Sequence, residues 1–212
     1  MPHKFDSFNA LLEEGFDQIT KIQSLWSGYG SIFRLKNIEG KSVVVKHIKP
    51  PAVHEHPRNW NTDISHQRKL NSYQNEYIWY SQFQSKCSAN TKIPKLINAD
   101  SKGAEQILIM EDLATSGYPT LKSTINLATI KVVLKWLANF HANFINIPHN
   151  NLWDVGTYWH LKTRPDEYNI MPTSSLKKHA TAIDSKLNNC EFKTIVHGDA
   201  KLANFCFSHD LS

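Results

Sequence analysis

The sequence predicts an α+β protein with two lobes, and two patterns along the chain lead to that expectation. Strand-like stretches fill most of the first hundred residues, whereas helical periodicity dominates the second half. Such segregation of strands from helices is typical of α+β proteins. We expect a front lobe at residues 1–113, made of an antiparallel sheet plus a helix, and a mainly helical second lobe at residues 114–212.

Three short strands and a loop are predicted at the front of the chain. The strands lie at residues 16–25, 31–38 and 42–48. The turn signal Glu39-Gly40 separates the last two strands. The valines at 43–45 are β-branched and suit a buried strand. The polar, Pro-rich stretch at residues 50–61 then predicts an exposed loop.

A helix is predicted from residue 65 to about residue 83. One face carries four side chains at helical spacing, namely Leu70, Tyr73, Tyr77 and Tyr80. Two further strands, at residues 95–99 and 106–110, are predicted to form a hairpin around Gly103. The front lobe therefore combines strands with one helix.

The second half predicts two helices joined by an aromatic loop at residues 150–168. The first helix carries Val133, Trp136, Phe140, Phe144 and Ile147, and Pro148 is expected to stop it. The second helix carries Leu176, Ala180, Ile183 and Leu187 on one face. Two short apolar pieces, 194–196 and 205–207, flank a polar loop.

The composition is that of an ordinary globular protein, with 41% hydrophobic and 20% charged residues among 212. No apolar run is long enough to cross a membrane, and no secretory signal is visible. Cys87, Cys190 and Cys206 are odd in number and far apart, which favours free thiols in a reducing, cytoplasmic compartment. The net charge of +5 suits an anionic ligand such as a nucleotide without requiring one. Neither nucleic acid nor membrane is expected as a partner, and the oligomeric state stays open.

The polar loop carries the motif that is most informative about chemistry. His197, Asp199, Lys201 and Asn204 reproduce the H-x-D-x-K-x-x-N spacing of kinase catalytic loops. In this interpretation Asp199 orients an attacking hydroxyl and accepts its proton late in the reaction. Lys201 neutralises charge on the transferred phosphoryl group, and Asn204 ligates Mg²⁺. The alternative is a polar turn in which Asp199 and Asn204 only cap backbone groups.

Two charged residues of the front lobe fit the same chemistry. Lys46 follows the β-branched strand residues, where kinases place the lysine that pairs with nucleotide phosphates. Glu76, on the following predicted helix, is the best candidate for the carboxylate that holds this lysine. The alternatives are a lysine that extends from a strand edge into solvent and a solvated glutamate on the helix surface.

Two further segments are weaker candidates for nucleotide contacts. Gly28 and Gly30 lie between two strands, where backbone N–H groups could cover phosphates, but Phe33 occupies the place of a third glycine. An ordinary hairpin turn is the alternative. Glu111 and Leu113 follow an apolar strand at the junction of the lobes, where a linker would offer backbone groups to adenine. The alternative there is a strand that ends in a polar turn.

From about residue 16 to residue 207 the chain resembles the aminoglycoside phosphotransferase and choline kinase superfamily, and within it most closely the ecdysteroid-kinase-like branch and its bacterial relatives. The stretches that carry the resemblance are HQRKLNSYQNE at 66–76, GTYWHL at 156–161 and VHGDAKLANF at 196–205. The resemblance implies a bilobal, protein-kinase-like fold. It also implies Mg²⁺-assisted transfer of the γ-phosphoryl group of ATP to a hydroxyl of a small molecule, with Lys46, Glu76, Asp199 and Asn204 in the roles given above.

One departure from this superfamily concerns the second metal ligand. Such kinases place an aspartate in a D-F-G-like segment shortly after the catalytic loop, followed by several helices, and residues 208–212 do not supply them. Asp210 is a poor substitute because no strand leads into it. We therefore expect a truncated or degenerate kinase with at most weak binding of Mg-nucleotide. The alternative function is a non-catalytic, kinase-like nucleotide-binding or scaffold protein.

Two other groups of residues are interpreted conservatively. His54, His56 and His66 lie close together in sequence but lack the spacing of a metal site, so we expect surface residues. The aromatic residues Trp153, Tyr158 and Trp159 could stack on an acceptor substrate, although packing is the expected use. The identity of the acceptor does not follow from the sequence.

Overall fold

The computed structural model describes residues 4–51, 63–156 and 160–210. Within these ranges the helices are α1 Asp6–Glu13, α2 Asp63–Gln82, α3 Leu127–Asn143, α4 Pro165–Ile170 and α5 Ser175–Asn188. The strands are β1 Gln18–Ser24, β2 Gly30–Lys36, β3 Ser42–Ile48, β4 Leu96–Lys102 and β5 Glu105–Glu111. We call α1, α2 and β1–β5 the sheet region and everything from α3 onward the helical region. The predicted α+β class is confirmed.

The five strands form one antiparallel sheet in the order β1-β2-β3-β5-β4. Strand β3 lies in its centre, and its bounds coincide with the predicted strand. Side chains of a strand alternate between the two faces. Val43 and Val45 therefore enter the main hydrophobic core, whereas Lys46 and Ile48 lie on the opposite face. That opposite face is the one that α2 covers, because Leu70 and Tyr73 pack against a buried cluster that includes Ile48.

Helix α1 covers the other face of the sheet and was not among the elements predicted from the sequence. Phe5, Phe8 and Leu11 are buried against strand residues that include Val45 and Ile107. Their spacing of three is a helical signal, but it extends over only two turns. The sheet is therefore closed by helices on both faces, by α1 on one and by α2 on the other.

The helical region differs from the prediction at two boundaries. Helix α3 ends at Asn143, well before Pro148, and Asn146 adopts a left-handed φ of 57° that a continuing helix does not allow. The predicted aromatic loop was also wrong at its far end, because α4 begins at Pro165, with the proline in the first turn. Residues 157–159 of that loop lie outside the described residues.

An aromatic cluster joins the sheet region to the helical region. Phe83, just beyond the end of α2, packs with Phe140 and Phe144 of α3, and all three are buried. Trp136 and Ile195 pack around this cluster, so the segment that leads into the polar loop is attached to α3. Helix α5 forms as predicted, but its apolar face is exposed in this structure: Leu176, Ile183 and Leu187 retain 60%, 45% and 65% of their accessible surface.

The two apolar pieces around the polar loop do not form a ladder of their own. The second piece instead makes one antiparallel bridge, in which Thr120 and Phe207 exchange backbone hydrogen bonds of 3.0 and 2.9 Å. The predicted lobe boundary at residue 113 coincides with the start of a short 3₁₀ turn, Leu113–Ser116. The division into two domains stays a prediction. Among the described helices none combines the length and the apolar character needed to cross a bilayer.

Candidate active site

Lys46 and Glu76 form an ion pair between the central strand and the helix that covers it. The Nζ atom of Lys46 lies 2.6 Å from each carboxylate oxygen of Glu76. The Lys46 side chain is 14% exposed and that of Glu76 is 32% exposed, so the pair is half-buried. The ring of Tyr73 lies beneath the ammonium group, 5.7 Å from Nζ to its centroid. The structure thus brings together the predicted lysine and glutamate, and neither is a freely solvated side chain.

The predicted glycine turn is a tight connection in which backbone N–H groups donate to carbonyl groups of the same turn. The N–H of Gly28 donates to the carbonyl of Leu25 at 3.3 Å, and that of Tyr29 donates to Trp26 at 3.4 Å. Gly30 has a φ of 132°, and a Cβ there would lie 2.0 Å from the carbonyl oxygen of His47. Close approach to β3 therefore explains Gly30 without any ligand.

Helix α2 also holds this turn in place, through residues that the sequence analysis did not single out for that role. Tyr29 and His66 share a hydrogen bond of 2.5 Å between the phenol oxygen and Nδ1. The ammonium of Lys69 lies 4.7 Å from the centroid of the Tyr29 ring and donates to the carbonyl of Trp26 at 3.4 Å. Burial, followed by the nearby charge of Arg68, lowers the pKa of Lys69 to about 8.

The linker after β5 is anchored by a buried carboxylate. Asp112 is 2% exposed and accepts hydrogen bonds from Arg34 Nε at 2.6 Å, from Arg34 Nη2 at 3.1 Å and from Ser42 Oγ at 2.6 Å. It also accepts from the backbone N–H of Ala114, which caps the following 3₁₀ turn. In the sequence, the only local sign of this anchor is that Asp112 directly follows an apolar strand. Its hydrogen-bond partners Arg34 and Ser42 lie far away along the chain.

The two predicted adenine-contacting residues have partners inside the chain. The carboxylate of Glu111 pairs with Lys92 at 2.7 and 2.8 Å, and its backbone N–H donates to Lys95. The carbonyl of Leu113 accepts from the N–H of Tyr118 at 2.9 Å. The N–H of Gly117 also donates to this carbonyl, so both of its lone pairs have partners within the chain. Contact between Leu113 and adenine stays a prediction.

The predicted catalytic residues of the polar loop meet one another. Lys201 Nζ lies 2.9 Å from Asp199 Oδ2. The side-chain amide of Asn204 donates to the same carboxylate oxygen at 2.9 Å and to the Asp199 carbonyl at 2.8 Å. The side chains of Asp199 and Lys201 are 63% and 62% exposed. Because the amide nitrogen of Asn204 is directed to Asp199, its amide oxygen is the end left to contact a metal.

His197 attaches this loop to α3. Its ring packs on the rings of Trp136, Phe140 and Phe205, with centroid distances of 5.7, 6.3 and 6.0 Å. Burial lowers its pKa, and the neighbouring charge of Asp199 offsets this only in part. The neutral ring accepts the backbone N–H of Asp199 at Nδ1, at 3.3 Å. An apolar anchor thus holds an exposed, charged loop.

The oxygen donors of this loop fit a hard cation such as Mg²⁺, which takes few protein ligands alongside phosphates and water. Within the described ranges, no three His, Cys, Asp or Glu side chains are grouped as metal ligands. A metal here would therefore depend on Asn204 and on nucleotide phosphates. His54 and His56 lie outside the described residues, as do Tyr158 and Trp159.

Comparison with protein families matches the chain to the Ecdysteroid kinase-like family over residues 33–151. This segment is more than half of the chain, and it includes Lys46, Glu76, Glu111 and Leu113. It ends before the polar loop. The sheet with its helix, followed by helices, is the kinase-like order of elements that the resemblance implied.

Comparison with curated proteins gives no match. Among solved structures, the chain is similar to a co-crystal structure of WbdD and the kinase inhibitor LY294002, with 16% sequence identity and a TM-score of 0.35. The match covers 68% of this chain and 28% of that chain. A likeness of this size supports no statement about function.

Proposed function

Because the chain belongs to the Ecdysteroid kinase-like family, we propose that it is an ATP-dependent phosphotransferase that acts on a hydroxyl group of a small molecule. The observation that carries the proposal is the ion pair of Lys46 with Glu76, 30 residues apart in sequence and joined at 2.6 Å. A lysine held by a carboxylate beneath a glycine turn is the arrangement that kinases use for nucleotide phosphates.

Lys46 is suited to phosphate because of how it is held. An ammonium group has three donors, and the two oxygens of Glu76 leave one of them for a ligand. The Lys46 side chain is only 14% exposed, so water screens its charge less than at the surface. The attraction between its ammonium group and a triphosphate is therefore stronger. Glu76 fixes the ammonium in one position, so little side-chain entropy remains to be lost when the nucleotide binds.

The polar loop is proposed to carry out the transfer. The acceptor oxygen forms a bond to the γ-phosphorus while the bond to the β–γ bridging oxygen breaks, and ADP leaves. Asp199 orients the acceptor hydroxyl and takes its proton, Lys201 offsets charge on the phosphoryl oxygens, and Asn204 holds Mg²⁺ through its amide oxygen. When bound, Mg²⁺ neutralises charge that develops on the phosphate oxygens.

The cellular setting belongs to the same proposal. Cys87, Cys190 and Cys206 are all free thiols, which supports a reducing, cytoplasmic compartment. The acceptor is proposed only as a class, a small molecule with a hydroxyl group, because a fold does not select a substrate.

A turnover assay tests the proposal with the 212-residue chain. ATP, Mg²⁺ and a panel of sterols, amino alcohols and aminoglycosides are incubated with the protein, and ADP and phosphate esters are measured. Because Mg-nucleotide is expected to bind at most weakly, we expect only slow formation of an ester with at least one class, and a further loss of about 100-fold or more in Asp199→Asn. Equal rates in the two proteins would exclude the polar loop as the catalytic site. Nucleotide binding without any ester would support the non-catalytic alternative instead.

A further inference from the structure

Helix α2, which carries Glu76, is tied to the helical region at both ends and in its middle. Near its beginning, Arg68 donates from Nη1 to the carbonyl of Thr163 at 2.5 Å and from Nη2 to Glu167 Oε1 at 3.2 Å. In its middle, the side-chain oxygen of Asn75 accepts the backbone N–H of Trp153 at 3.0 Å. After its end, Phe83 enters the aromatic cluster.

The contact of Asn75 matters most because this residue directly precedes Glu76. Consecutive residues of a helix project about 100° apart. The side chain of Asn75 contacts the helical region, and that of Glu76 contacts β3. Together the two contacts fix the rotation of α2 about its own axis. The partner of Asn75 is a backbone N–H, so Asn75 supplies the side chain on which this contact depends.

The contact of Arg68 is strong because the guanidinium is buried. Arg68 is 8% exposed, and a buried charge is costly unless it is paired. Its partner Glu167 also accepts from Arg164 Nη1 at 2.5 Å. Burial raises the pKa of Glu167, but Arg164 and the charge of Arg68 outweigh this and leave the pKa below its ordinary value. The start of α2 is therefore held by a charged cluster of the helical region.

We propose that Asn75 and Arg68 are positioning residues that set Glu76 against Lys46. Their partners in the helical region, which are Trp153, Thr163 and Glu167, would then control how the phosphate lysine is presented. The role of Lys46 in this statement rests on the proposed function, but the positioning itself does not. The helical region thereby influences a nucleotide contact that lies entirely within the sheet region.

Chemical labelling of lysines tests the positioning without any nucleotide. Acetic anhydride reacts with free amines, and mass spectrometry gives a rate for each lysine. In Asn75→Ala and in Arg68→Gln, the loosened pair should raise the rate of Lys46 about fivefold, equivalent to about 1 kcal/mol. Lys92, which precedes β4 and is paired with Glu111 of β5, should keep its rate. An unchanged rate at Lys92 would show that the fold is intact.

Asn71→Ala is the matched control. Asn71 is one turn before Asn75 on the same helix, is exposed, and accepts from the Gln67 side chain. This variant should leave the rate of Lys46 unchanged. The proposal is overturned if Lys46 keeps its wild-type rate in both Asn75→Ala and Arg68→Gln. It is equally overturned if Lys46 and Lys92 rise together, since the residues would then only stabilise the fold.

A double-mutant cycle separates this proposal from the proposed function. Affinity for Mg·ATP is measured in the wild type, Asn75→Ala, Glu76→Gln and the double variant. We expect Asn75→Ala to weaken binding about fivefold in the wild type, equivalent to about 1 kcal/mol, and to have no effect when Glu76 is already Gln. An equal loss in both backgrounds would refute action through Glu76. If the wild type binds no ATP, the proposed function fails, and the labelling rates still decide the positioning.

Discussion

Arg34 in β2 donates two hydrogen bonds to the buried carboxylate of Asp112, at 2.6 Å from Nε and 3.1 Å from Nη2. Asp112 directly follows β5, and β5 is not a neighbour of β2 because β3 lies between them. Ser42, at the start of β3, donates to the same carboxylate. Three strands therefore meet at one side chain, at the point where the sheet region passes into the linker.

Removing this carboxylate should destabilise the protein. In Asp112→Ala, Arg34 loses its partner, and we expect a loss of about 3 kcal/mol in the free energy of unfolding, at the low end for a buried pair. The low end is appropriate because Arg34 is 34% exposed. Urea denaturation measures the change. Glu39→Ala, which breaks the exposed pair with Lys41, is the control and should leave the midpoint unchanged. Equal midpoints in both variants would contradict the anchoring role.

The same carboxylate predicts a dependence of stability on pH. Burial raises the pKa of Asp112, but hydrogen bonds from Arg34, Ser42 and Ala114 outweigh it and hold the pKa below its ordinary value. The ionised Asp112 carboxylate therefore contributes fully to the free energy of unfolding above the unfolded-state pKa of about 3.9. This contribution is lost as the pH falls through the lower folded-state pKa. Below about pH 4, the wild type should lose stability more steeply than Asp112→Asn. If the urea midpoints of the wild type and Asp112→Asn fall in parallel as the pH is lowered, the pKa of Asp112 is not depressed.

Gly28 in the turn before β2 and Gly30 at the start of β2 should respond differently to alanine. A Cβ at Gly30 would lie 2.0 Å from the carbonyl oxygen of His47, whereas a Cβ at Gly28 meets nothing within 4 Å. Gly28→Ala should cost about 1–2 kcal/mol, from its positive φ of 74° alone. Gly30→Ala should cost more than about 3 kcal/mol, because backbone must move. Thermal unfolding measures both, and a smaller loss for Gly30→Ala would contradict the strand register described above.

The three cysteines should differ in reactivity. Burial raises the pKa of Cys87 and of Cys206, and the Asp112 carboxylate adds to the rise at Cys206. Cys190 is exposed. Since the thiolate is the reactive form, iodoacetamide at pH 8 should modify Cys190 well before the other two, as followed by peptide mass spectrometry. In urea, all three should react alike. Early modification of Cys206 in the folded protein would be inconsistent with its placement beside the linker.

Local patterns were sufficient to predict part of this molecule. The bounds of β3 follow from a β-branched run with a turn before it. Asp199, Lys201 and Asn204 meet because they are at most five residues apart, so one loop conformation settles their contacts. The contact of Lys46 with Glu76 was anticipated from the order of kinase elements, not from local pattern.

Contacts between distant segments were beyond sequence reasoning. Arg34 and Asp112 are 78 residues apart, as are Asn75 and Trp153. Such pairs depend on strand order and on the rotation of a helix, which no short window of sequence encodes. Helix α1 escaped prediction for a different reason, since its two-turn apolar pattern is stabilised by burial against the sheet and not by helix propensity.

Calorimetric titration of nucleotides into the wild type and Lys46→Met tests the central claim most directly. The claim is that the Lys46–Glu76 pair receives the α- and β-phosphates of ATP. A charged hydrogen bond is worth about 1.5–3 kcal/mol, so Lys46→Met should weaken Mg·ATP binding at least about tenfold. Binding of adenosine, which carries no phosphate, should be unchanged. If the two proteins bind Mg·ATP equally, or if adenosine and ATP lose affinity to the same extent, the pair does not contact the nucleotide phosphates and the account is contradicted.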